Sequence, residues 1–201
     1  MAKRSGMGLW LISCAVLVVC MAWAGEANAA PQDFNQLLRG DYAFTGEAVC
    51  VVSPGGFTTG PTPPPFIPIG TFFINSFSIQ GIRTFNGDGT GTIVARNVNI
   101  NQTGGGVNAA DLSGDFTYQV APDRSFTVVQ GPITGIVVVG PGAGSTAITI
   151  GVKFSGKISQ DHKTLVMSTE EPTVEIRTPI LPPGPDSPRI CHRARTAIKI
   201  K

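Results

Sequence analysis

Beyond residue 23 this 201-residue chain has no tryptophan, only two histidines, and no apolar run long enough to cross a bilayer as a helix. Each shortage excludes a class of protein. Outer-membrane barrels carry girdles of interfacial aromatics, yet the only tyrosines are Tyr42 and Tyr118 and the chain ends in Lys-Ile-Lys. His162 falls in a polar stretch and His192 in a basic one, so no set with zinc-ligand spacing can be assembled and no metal is expected. The Gly-x-Ser-x-Gly elbow of a serine hydrolase is missing. Cys191 and His192 are adjacent on an expected strand and would point to opposite faces, which rules out a thiol and base acting together. No catalytic residue and no cofactor is therefore expected. With 15 basic and 13 acidic residues, the charge balance also gives nothing global to attract nucleic acid.

What is present begins with a leader. Lys3 and Arg4 precede an apolar run over residues 9–23, and Ala27-Asn28-Ala29 has the small-x-small pattern of a cleavage site. Residues 1–29 read as a signal peptide and residues 30–201 as a single exported domain, periplasmic or extracellular. Leu11-Ile12-Ser13-Cys14 has the form of a lipobox, but too few apolar residues precede it for acylation of Cys14 to be the expectation. Cys50 and Cys191 remain, an even pair in an oxidising compartment, and a disulfide between them is expected; two buried thiols are the alternative. Closing a loop of roughly 140 residues, such a bridge contributes about 4 to 5 kcal/mol in the chain-entropy model. Arg189, Arg193, Arg195, Lys199 and Lys201 fall within residues 189–201 with no acid among them. They read as the wet face of a strand, with contact to anionic lipid or polysaccharide as the functional alternative.

Asp33 is a candidate N-cap, Phe34, Leu37 and Leu38 have helical spacing, and Gly40 stops the turn. From Tyr42 the period becomes two, with Tyr42, Phe44, Ala48, Cys50 and Val52 on one face. Residues 53–70 form a proline-rich loop, because proline lacks the amide that a ladder needs, and are extended around Pro63 to Pro65. Residues 72–85 alternate again, with Phe73, Phe77, Ile79 and Phe85 together, and Asn86-Gly87-Asp88-Gly89 is a turn. The returning strand, 91–100, places Thr92, Val94, Val98 and Ile100 on one face, and Gly104-Gly105-Gly106 reads as a flexible connection. Residues 116–120 and 125–130 form a hairpin, Pro132 opens the apolar run 133–139, and 147–158 alternates as one strand with Ile148, Ile150, Val152, Phe154 and Ile158 toward the core. Strands at 165–168 and 173–178, a proline-rich loop at 180–188 and a basic strand or tail at 189–201 complete the chain. Nine or ten strands, with no helix long enough for a parallel crossover, make an all-β, antiparallel up-and-down meander. The expected form is a closed soluble barrel of about 8 to 10 strands with a short N-terminal helical turn; a β-sandwich is the alternative.

Leu37-Leu38-Arg39-Gly40-Asp41-Tyr42 sets a short helical turn and a Gly-x-aromatic step at the mouth of the first strand, and there the chain resembles the lipocalin-like barrels. The resemblance implies that Tyr42 replaces the family's usual tryptophan and that Arg177, Arg193 or Arg195, from a late strand, packs over it. The family's Thr-Asp-Tyr loop motif is absent. Phe85-Asn86-Gly87-Asp88-Gly89-Thr90-Gly91-Thr92 is similar to a hairpin of secreted bacterial barrels of unknown function, including those similar to the allene oxide cyclase barrel. This implies architecture and supplies no catalytic group.

Asn86, Asp88 and Thr90 have the alternate spacing of a calcium loop, but Asn97 stands where the closing glutamate belongs, so a hairpin turn is the reading. Two arginines fall on apolar phases, Arg83 with Phe77, Ile79 and Phe85, and Arg96 with Val94 and Val98. A buried guanidinium needs a carboxylate, water or a ligand anion. The expectation is a cavity for a small apolar or acidic ligand, anchored by Arg83 or Arg96 and walled by Tyr42, Phe44, Phe73, Phe77, Phe85, Phe116, Tyr118 and Phe154. Alternatives are a bulge or an internal acid that settles each arginine, a structural or envelope-associated protein without a cavity, and a barrel enzyme of cyclase or isomerase type.

Overall fold

A computed structural model describes residues 33–62, 65–101 and 105–201; the leader, Cys14 and the expected cleavage site lie outside the described residues, as do Pro63, Pro64 and Gly104. A 3-10 turn, Phe34–Leu37, precedes ten strands: β1 Arg39–Val52, β2 Phe73–Asn86, β3 Thr90–Asn101, β4 Gly106–Val120, β5 Ser125–Val139, β6 Thr146–Ile150, β7 Lys153–Ile158, β8 Thr164–Ser168, β9 Val174–Leu181 and β10 Ser187–Lys199. The fold is all-β, one antiparallel sheet of ten strands. From β1 to β6 each strand pairs with the next, β6 pairs with β9, β9 with β10, and β10 with β1, which makes a ring of eight. β7 and β8 occupy the same gap at another level: β5 pairs with β6 through 133–136 and with β7 through 125–129, while β10 pairs with β9 through 187–190 and with β8 through 194–198. The expected bridge is present, with Cys50 opposite Cys191 in the β1–β10 register.

Alternation decides what faces inward. On β1 the even positions, Tyr42, Phe44, Ala48, Cys50 and Val52, are buried, and on β2 the odd ones, Phe77, Ile79, Arg83 and Phe85, as the sequence pattern requires. Elsewhere the pattern misleads. On β3 the inward residues are Ile93, Ala95 and Asn97, while Val94, Val98 and Ile100 are exposed. The hairpin sets this register: with Phe85 opposite Gly91, the odd positions of β3 must share a face with Phe85. Gly91 has no room for a Cβ, which would stand 2.3 Å from the Phe116 ring. β4 begins at Gly106, ten residues before the expected Phe116. β5 runs through Gly131 and Pro132, where an extra residue, three steps against two on β4, switches the inward set from Phe126, Val128 and Gln130 to Ile133 and Val137. The single strand expected over 147–158 breaks at Gly151, whose φ of +84° favours glycine. Phase shifts there, so Ala147, Val152, Phe154 and Ile158 are buried but Ile150 is exposed, contrary to expectation for Ile148 and Ile150.

Up-and-down order sends the connections alternately to two ends. One end carries the turns 87–89, 121–124 and 159–163 together with the 3-10 turn, and it is filled. Leu38 is fully buried, and Tyr118 Oη accepts from Gly87 N (2.9 Å) and donates to Leu38 O (2.8 Å), tying the 3-10 turn to the β2–β3 hairpin. Each turn is fastened by an aspartate. Asp88 accepts from Thr90 N and Oγ1, Asp123 from Ser125 N and Oγ, and Asp161 from Ser159 Oγ and Lys163 N. These bonds hold the Asp88 and Asp161 carboxyls below the usual range, and Asp123 is held there first by Lys157 Nζ, which donates to it at 2.8 Å, and then by Ser125. Asp88 therefore works as the turn's internal acceptor. At the other end, among the described residues, lie 53–62, 65–72, 105, 140–145 and 182–186.

Candidate cation-lined cavity

Above the filled end the interior changes chemistry within one residue layer. Tyr42, Phe85, Phe116 and Tyr118 pack edge to face, with Phe85 at 5.0 to 5.3 Å from the other three rings. Arg83 sits on this cluster, fully buried, its guanidinium carbon 5.2 to 5.3 Å from the centroids of Phe44, Phe116 and Phe154. None of its three nitrogens has a hydrogen-bond acceptor in the protein. Burial, and then the charge of Arg193, push Arg83 down to about 9, which leaves it cationic at neutral pH. Ring faces are all that stabilise the charge.

The next layer is built by β9 and β10. Glu175 is the only buried carboxylate among the described residues, and two arginines share it: Arg193 through both oxygens (Nη2 to Oε2 at 2.6 Å, and Nη1 to Oε1) and Arg189 through Nε (3.1 Å). Arg189 stands opposite Glu175 in the ladder, so the cross-strand register makes the pair. Arg195, two residues beyond Arg193, gets no share. It stacks 4.4 Å from the Phe154 centroid, and its Nε and Nη1 are buried without a protein acceptor. Burial, then the charges of Arg83 and Arg193, hold Arg195 well below its ordinary value. Any carboxylate or phosphate placed against it would reverse that balance.

Arg189, Arg193 and Arg195 border a cavity of about 280 Å³. Its cationic wall is Arg177, Arg189, Arg193 and Arg195; its amide wall is Asn75, Asn97, Asn99, Asn101, Asn108 and Gln130; and no carboxylate lines it among the described residues. Asn99 Nδ2 donates to Asn97 Oδ1 (3.2 Å) and to Asn108 Oδ1 (3.0 Å), whereas Asn75 Oδ1 and Gln130 Nε2 have no protein partner. Phe73, Phe77, Ile79 and Ile133 give the same space apolar patches. The lining becomes exposed at Gly105 and Gly106, at the end of the ring away from the aromatic cluster.

Of the ten residues expected to anchor and wall a ligand site, only Phe73 and Phe77 line this space. Tyr42, Phe85, Phe116 and Tyr118 belong to the solid cluster, and Phe44 and Phe154 cradle arginines. Arg83 is inside as expected, but beneath the cavity. Arg96 is a correction: the β3 register turns it outward, where it forms an exposed ion pair with Asp111 (Nε to Oδ1 2.7 Å). The expected wet face of residues 189–201 is corrected too, since Arg189, Arg193 and Arg195 point inward. Their signal was present in the spacing. If Cys191 bonds to the inward Cys50, every second residue from it must also face in. The cation over Tyr42 is Lys199, at 5.9 Å, not an arginine. His162 lies in a turn, where its carbonyl accepts from Tyr42 Oη (2.8 Å), and His192 is on the outer face. No family model, curated protein or solved structure matches this chain.

Proposed function

We propose that this protein is an exported binding barrel whose cavity takes a small molecule with an anionic group and a compact apolar part. Continuous pairing of β1 with β10 over eleven residues supports closure of the ring as a barrel. The Cys50–Cys191 disulfide and the leader-like first 29 residues support a place outside the cytoplasm. One observation carries the ligand class: Arg195 borders the cavity with two buried donor nitrogens that no protein group meets, beside three further arginines and a single carboxylate already shared. An excess of buried cations is expensive unless an anion compensates it. Volume limits the size. About 280 Å³ is at the lower edge of the ~300–1,000 Å³ usual for ligand pockets, too small to enclose a long acyl chain.

Calorimetric titration tests the reading with hexanoate, benzoate and hexyl phosphate as probes and methyl hexanoate as the uncharged control. The expected result is saturable 1:1 binding of at least one anion and none of the ester, with Arg195→Gln weakening the anion about tenfold or more, the loss of one charge-assisted pair. Equal binding of ester and acid, or no heat from any probe, contradicts it.

A further inference from the structure

The two ends of the ring differ in surface as well as interior. The connections 53–72, 140–145 and 182–186 contain one charged residue between them, Asp186, and ten of the chain's sixteen prolines. Thr178 Oγ1 donates to that aspartate at 2.6 Å. The opposite end carries Arg39, Asp41, Asp88, Asp123, Arg124, Asp161, Lys163 and Lys201.

Large apolar side chains stand out from these sparsely charged connections and from the end of β9. Phe66, Ile67, Ile69 and Leu181 are 41 to 60% exposed. Phe66 holds a φ of +67°, costly for a bulky residue. Its segment is nevertheless ordered by a small ladder: Thr58 N donates to Ile67 O, Phe66 N to Thr58 O and Ile69 N to Gly56 O. Just below, exposed apolar side chains stand on the outer faces of five of the eight ring strands: Val49 on β1, Ile100 on β3, Val107 on β4, Val139 on β5 and Ile180 on β9.

We propose that this end of the ring is a docking surface for a lipid bilayer, with Phe66, Ile67, Ile69 and Leu181 entering the headgroup region and the cavity mouth facing the lipid. Three features favour a bilayer over a protein partner or a second copy. A macromolecular interface has an apolar centre with a polar, hydrogen-bonding rim, and these connections have almost no charge to form one. The apolar band is spread around the ring, as end-on contact with a planar film requires, whereas a partner covers one side. Loop backbone entering a medium poor in water must have its amides satisfied, and here prolines remove donors while the 56–69 ladder occupies others. Insertion of interfacial segments by about 5 to 10 Å is the scale that such side chains reach. The surface is separate from the anion site, so either reading can fail alone.

Hydrogen exchange on the full chain tests it, because the readout is local and the apolar N-terminal segment cannot mimic it. With phosphatidylcholine vesicles added, amides in 55–72 and 180–187 are expected to exchange about fivefold more slowly or better, and those of the 87–89 and 121–124 turns to be unchanged. A Phe66→Ser, Ile69→Ser, Leu181→Ser variant, altered only at exposed positions, is expected to lose this protection and still bind the anion probe. Unchanged rim exchange in the native chain, or protection that persists in the variant, overturns the proposal. So does protection that appears without vesicles and grows with protein concentration, which would assign the surface to a second copy.

Discussion

In the filled half of the ring, Tyr42, Phe85, Phe116 and Tyr118 face inward while Thr92, Asp115 and Thr117 face water. In the open half, Asn97 and Asn99 on β3 and Arg189 on β10 face inward while Val98, Ile100 and Val107 face out. β3 crosses both halves with one unbroken alternation, so along it backbone geometry is constant and only the sign of the polarity reverses. A sheet face therefore follows what it encloses, a packed core in one half and a polar cavity in the other. Arg83 lies at the junction, a charge supported only by the rings of the half below it.

Breaking the clasp common to both halves has the largest expected effect. Cys50→Ala with Cys191→Ala releases the first and last strands and should cost about 4 to 5 kcal/mol on the chain-entropy estimate, read by urea unfolding. Glu175→Gln strikes the open half alone. It leaves Arg193 and Arg189 without a counter-charge, and a loss of about 3 to 5 kcal/mol is expected, whereas a structural role confined to packing would give far less. At the junction the sign reverses: Arg83→Met replaces an unpaired buried cation by an apolar side chain of similar length and should stabilise by about 1 to 4 kcal/mol, read as a higher Tm. A fall in Tm would mean that Arg83 has an acceptor.

In the filled half, Tyr118→Phe strands Gly87 N and Leu38 O, and a loss of about 1 to 2 kcal/mol is expected with anion binding intact. The smallest effect belongs to the turns. The Asp88 and Asp161 carboxyls titrate below their ordinary value of 3.8 in the folded chain, so their contribution is complete above that value and is lost as pH falls through the folded range. Amide exchange in the 87–89 and 159–163 turns, corrected for its intrinsic pH dependence, should show lower protection at pH 3 than at pH 5.

How far the sequence could be read divides along the same line. Apolar residues at period two identify β1 and β2, and the Asn-Gly-Asp-Gly turn fixes their neighbour, because on these two strands the apolar phase is the inward one. The rule then assigns Val94, Val98 and Ile100 to the core and turns Arg96 inward with them. Nothing in β3 alone reveals that its interior neighbours are amides. Two other misses are single-residue shifts, at Gly131-Pro132 and at Gly151, each of which reverses the faces beyond it. The arginines of β10 were within reach, since Cys191 fixes their parity. Glu175 lay in a short strand with no pattern of its own, and only its register opposite Arg189 reveals it.

The arginine Nε–Hε signals of the uniformly ¹⁵N-labelled chain, followed during titration with hexanoate and again with methyl hexanoate, decide whether the cavity holds an anion. Arg195 should move along a saturable curve with the acid and stay still with the ester, while exposed Arg96 and Arg39 do not respond to either. Equal small drifts at all three sites, or no movement at Arg195, would contradict an anion site at this position.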